Sequence, residues 1–71
     1  MTYAQPFHLK HPSDLQVQEA RADLNAILRY DMTDQEITGH TLAYLRTQRK
    51  DMSNLMHKHL LAYALRNFGS R

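Results

Sequence analysis

Between Ser13 and Phe68 the sequence holds one glycine, Gly39, and no proline; Pro6 and Pro12 both precede that span. Glycine and proline most often interrupt regular backbone, so a stretch this free of them favours long helices. The pattern inside the stretch is helical. Ser13 and Gln16 have the S-x-x-Q spacing of a capping box, in which the Ser hydroxyl accepts from an early backbone N–H and Gln reaches back. Asp14 suits the positive end of the helix dipole. Val17, Ala20, Leu24, Ile27 and Leu28 then share one face, which predicts a first helix from Ser13 to Tyr30 or Asp31.

A second helix start follows almost at once. In "TDQE", Thr33 caps, Glu36 closes the box and Asp34 again suits the dipole. Met32, just before the cap, is placed to staple against Ile37. So short a link predicts an antiparallel helical hairpin. Beyond it, Ile37, Thr41, Leu42, Leu45, Met52, Leu55, Met56, Leu60, Tyr63, Ala64 and Phe68 keep helical spacing, but "RTQRKD", Arg46 to Asp51, has no apolar member. That waist has two readings. Because neither Gly nor Pro interrupts it, the favoured one is a continuous helix of about 34 residues, roughly 50 Å long. The other is a turn near Lys50–Ser53, with Asp51 or Ser53 as N-cap. In both cases the expected fold is all-α. An N-terminal arm covers 1–12, and a helical hairpin with a long or broken second helix covers 13–71, paired as a dimer. The apolar segment "LMHKHLLAYALRNF" is expected to pack on another chain, on a third helix folded back, or on a target.

Size points the same way. A chain of 71 residues forms one domain at most, and a domain so small buries only about 60% of its unfolded surface. Disulfides, a metal or a partner commonly supply the missing stability. The chain has no cysteine, which excludes disulfides and thiolate metal sites and leaves oligomerisation or a partner protein. No stretch approaches the roughly 20 consecutive apolar residues of a membrane span, and "MTYAQPFHLK" lacks the apolar core of a secretory signal. A soluble, cytoplasmic protein without membrane contact is the expectation. The formal net charge of +2 is far short of the basic stripe of a dedicated nucleic-acid binder.

The five histidines raise the question of a metal. His8 and His11 have no carboxylate close by in sequence. His57 and His59 are i, i+2 on a helix and diverge, whereas helical metal ligands need i, i+3 or i, i+4 spacing. No metal or other cofactor is expected. Cysteine and a glycine-rich phosphate loop are both missing, and the carboxylates read as helix-start or surface charges. So small a chain rarely encloses a water-excluding pocket, so no catalytic residue is assigned and no enzymatic activity is expected. Met52, Leu55, Met56, Leu60, Tyr63 and Phe68 form an adaptable apolar stripe that can meet a partner groove; packing inside a homodimer is the alternative. Arg46, Arg49 and Lys50 cluster at the waist, where they would supply a polar rim or electrostatic steering.

The segment "FHLKHPSDL", Phe7 to Leu15, resembles the start of the Arc/Mnt ribbon-helix-helix phage repressors. In that family a strand of the form F-x-[LF]-[RK]-x-P precedes a polar, an acidic and an apolar residue. The resemblance implies a two-subunit ribbon in the DNA major groove. Pro6, His8 and Lys10 would face the bases, Phe7 and Leu9 the dimer core, and the helix start near Thr33 a phosphate. Past Leu15 the sequence departs from the family: Gln18 and Glu19 stand at core positions, and the link to "TDQEI" is longer and lacks the usual glycine. "MTDQEITGHTLAYL" resembles the start of Rop-like helical-hairpin proteins, which pair into four-helix dimers, and the plan is similar to that of phycobilisome-degradation adaptors.

The expected function is that of a small non-enzymatic interaction protein. It would inhibit or adapt a larger protein through an apolar helix face, and it would suit a phage or a mobile element. The alternative is a DNA-binding ribbon-helix-helix-like regulator that uses His8 and Lys10.

Overall fold

The computed structural model describes residues 12–69 and holds three helices there: α1 (Pro12–Ile27), α2 (Asp34–Gln48) and α3 (Asn54–Phe68). Pro6, His8 and Lys10, the outward residues of the DNA-binding ribbon reading, lie outside the described residues. Leu15, the last residue of the stretch that resembles the repressors, sits inside α1.

α1 starts one residue before Ser13, at Pro12, whose missing N–H is no loss in a first turn. Ser13 therefore lies inside the helix. The Gln16 amide donates to Asp51 Oδ2 across the molecule, at 2.8 Å. The helix also ends earlier than its spacing suggests, at Ile27. Leu28 still donates its N–H to the Leu24 carbonyl and stays buried, so the core stripe outlasts the helix by one residue. α2 begins as expected. Thr33 Oγ1 accepts from the Glu36 N–H at 3.1 Å, and Glu36 Oε1 accepts from the Thr33 N–H at 2.8 Å. Met32 packs against the cluster that contains Ile37.

The waist is a turn, not a continuous helix. α2 stops at Gln48, and Ser53, in extended backbone, accepts from the Met56 N–H to start α3. The Arg49 carbonyl takes two contacts inside the turn, from the Met52 N–H at 3.1 Å and from His57 Nε2 at 2.9 Å. The physical reason is burial. A polar run with no apolar face gains nothing from helical continuity, whereas a turn lets Leu60, Ala64 and Phe68 fold back into the core.

Side-chain links fix the topology. Gln16 reaches Asp51, Glu19 reaches Arg49 and Asp23 accepts from Tyr44, so α1 runs antiparallel to α2. Arg21 meets His59 and Tyr63 donates to Asn25, so α1 runs parallel to α3. Gly69 at the end of α3 lies beside Asp34 at the start of α2, which makes α2 and α3 antiparallel. The most extensively packed helix pair is α2 with α3, not α1 with α2 as the short link predicts. α1 packs a narrow stripe of Val17, Ala20 and Leu24 on the core, continued by Leu28 just past its end. α3 carries the wider one, Met56, Leu60, Tyr63, Ala64 and Phe68, which both other helices share.

Candidate interaction face

α1 covers one flank of the α2–α3 pair and leaves the other open. On the open flank Leu42 and Arg46 of α2 face Asn54, His57, Lys58 and Leu61 of α3 across a groove of about 380 Å³. Leu42 and Leu61 are only partly buried there. The helix period explains their place. On α2, Leu42 lies beside Thr41 and Leu45, which are in the core; on α3, Leu61 lies beside Leu60 and Ala64, which are also in the core. Both leucines belong to the edge of an apolar arc wider than one neighbouring helix can cover.

The charge in this groove is one-sided. Arg46 and Lys58 line it, and among the described residues no carboxylate does. Neither cation has an ion-pair partner among the described residues. The half-buried His57 ring is anchored at the floor of the turn through the Arg49 carbonyl.

Two other hollows flank α1, and each holds a side-chain pair that joins two helices. In one, lined by Asp14, Val17, Gln18, Arg21 and His59, Arg21 Nη2 lies 2.9 Å from His59 Nε2. A guanidinium has only donors, so the imidazole nitrogen accepts. Arg21 also stacks over the Tyr63 ring, 5.0 Å from its centroid. In the other, lined by Asp23, Ala26, Ile27, Tyr44 and Gln48, the Tyr44 hydroxyl donates to Asp23. His57 and His59 thus serve different neighbours, and no group of three metal-ligating side chains forms among the described residues.

The residues expected to meet a partner are dispersed. Met52, Leu60 and Phe68 lie in the chain's own core. A charge at Leu60 would therefore unfold the protein rather than probe a contact. Met56 and Tyr63 are half-buried against that core, and Tyr63 donates to Asn25 of α1. Leu55 is the exception: it is 77% exposed, on the side of α3 away from the core. Arg46 and Lys50 are exposed, with Arg46 in the groove.

Arg49 is an internal clamp and not a rim residue. Its side chain is 12% exposed. Nε and Nη2 hold the two Asp51 oxygens at 3.2 and 3.1 Å, and Nη1 reaches Glu19 at 3.3 Å. Asp51 in return is held below the usual carboxylate range, chiefly by the hydrogen bond from Arg49. The clamp ties α1 to the α2–α3 turn.

Spacing alone did not single out Leu61 or the pairing of Leu42 with Lys58. The available sign was the width of the apolar arc on each helix; which edge stays open depends on where α1 docks. No protein-family model, curated protein or solved structure matches this chain. No helix among the described residues is long and apolar enough to cross a membrane.

Proposed function

We propose that this protein is a small non-enzymatic interaction protein that binds a larger protein and modulates it, as an inhibitor or an adaptor, and that the open α2–α3 flank is its contact face. The observation that supports this is the groove itself, where Leu42 and Leu61 are left incompletely covered between two cations that have no ion-pair partner among the described residues. Apolar side chains beside a polar rim suit association, because docking removes the leucines from water while the cations steer the approach.

The test compares affinity capture by the tagged protein and by its Leu61→Asp variant, with circular dichroism to establish that both are folded. A specific partner retained by the first and lost by the second supports the reading. Identical capture by two folded proteins sinks it.

A further inference from the structure

We propose that the occupant of the α2–α3 groove is an acidic amphipathic helix of the partner, with leucine-like residues on one face and carboxylates beside them. This inference rests on the interaction reading above and adds the chemical class of the partner. The groove offers two apolar anchors, Leu42 and Leu61, flanked by Arg46 and Lys58 with no carboxylate among the described lining residues. A helix laid along it places side chains at i, i+3 and i, i+4 toward the leucines. Carboxylates next to that stripe meet Arg46 on one wall and Lys58 on the other. A basic or neutral helix gains the apolar contact alone and brings cations near cations in the first case.

The charges disfavour two other occupants. Residues 1–11 of the chain hold His8, Lys10 and His11 and neither Asp nor Glu, so they do not complement the groove. A second copy docked groove to groove would set Arg46 and Lys58 against their own kind, and like charges face to face weaken association.

The experiment uses the full chain and three fluorescent helical peptides of about 16 residues, some 24 Å long. One has Leu at i, i+3 and i+7 with flanking Glu; one has the same leucines with flanking Lys; one is a scramble of the first. Anisotropy is read at low and at physiological salt. The acidic peptide is expected to bind, to weaken with salt, and to outbind the basic peptide by roughly tenfold or more. Arg46→Glu and Lys58→Glu, both on exposed side chains that leave the core untouched, are expected to reverse that preference.

Equal binding of the acidic and basic peptides overturns the acidic class while leaving the interaction face intact. So does failure of all three peptides when Leu61→Asp still abolishes capture of a partner. Salt-sensitive binding of a DNA duplex that Arg46→Glu and Lys58→Glu abolish also overturns it and assigns the cations to phosphate. Self-association that the same two variants abolish, seen by sedimentation, makes a second copy the occupant and overturns it likewise.

Discussion

Thr41 is fully buried and its hydroxyl has no hydrogen-bond partner among the described residues. An unsatisfied buried hydroxyl costs about 1–3 kcal/mol, and a methyl in its place costs nothing of the kind. Thr41→Val is therefore expected to raise the melting temperature by several degrees, as read by thermal denaturation; a lower one would mean that the hydroxyl is satisfied after all. Tyr44 gives the opposite lesson. Burial, then the hydrogen bond to Asp23 and the charge of that carboxylate, push its phenol up to about 12. The folded value lies above the unfolded one, so the stability from this bond is complete below about pH 10 and is lost as pH climbs through the folded value. Urea unfolding at pH 8 and at pH 11 should show a larger loss for the wild type than for Tyr44→Phe. Equal losses would remove Tyr44 as the alkaline-sensitive group. The hydrogen-bonding roles of both residues were hidden in the sequence. Thr41 reads simply as a member of an apolar stripe, and the Asp23 partner of Tyr44 lies on another helix.

The two glycines separate what a helix wants from what a junction allows. Gly39 lies exposed within α2, and a Cβ there would meet nothing within 4 Å. Gly39→Ala is expected to stabilise the protein by up to about 1 kcal/mol through helix propensity alone. Gly69 is buried beyond α3 in extended backbone, where a Cβ would strike the Leu65 carbonyl oxygen and come within 2.9 Å of Asp34 Oδ1. Gly69→Ala is expected to destabilise by about 1–3 kcal/mol, since the Cβ would force the last turn of α3 at Leu65 to rearrange and push aside the Asp34 side chain. Chemical denaturation of the two variants side by side checks both signs; the same sign for both would refute the close approach at Gly69. At this scale the second helix start was legible, because a capping box closes within four residues and needs no distant contact. The first was misplaced by one residue, because the helix already takes in Pro12, and the Asp51 that accepts from the Gln16 amide is far along the chain.

At the scale of the molecule, the described residues pack as three helices around a small core, and Leu24 sits inside it with no exposure. Leu→Ala at such a site costs about 2–5 kcal/mol, against a total of about 3–5 kcal/mol for a scaffold of this size. Leu24→Ala is expected to leave the chain largely unfolded at 37 °C by circular dichroism, and a bound partner should restore part of the fold by mass action. A fully folded variant would show that the core is deeper than α1 suggests. Sequence by itself determined the all-helical class, the cap of α2 and most of the core, because capping and helical periodicity are local and act within a few residues. It also offered Ser53 as a candidate cap for α3, alongside Asp51. Only the tertiary structure decided that the waist turns, that α2 pairs with α3, that Arg49 clamps α1 inward and that Leu42 and Leu61 share an open groove. Each of those depends on which surfaces exclude water together. That is settled by the competition among three helices for one another's faces, and no single helix carries the outcome in its own spacing.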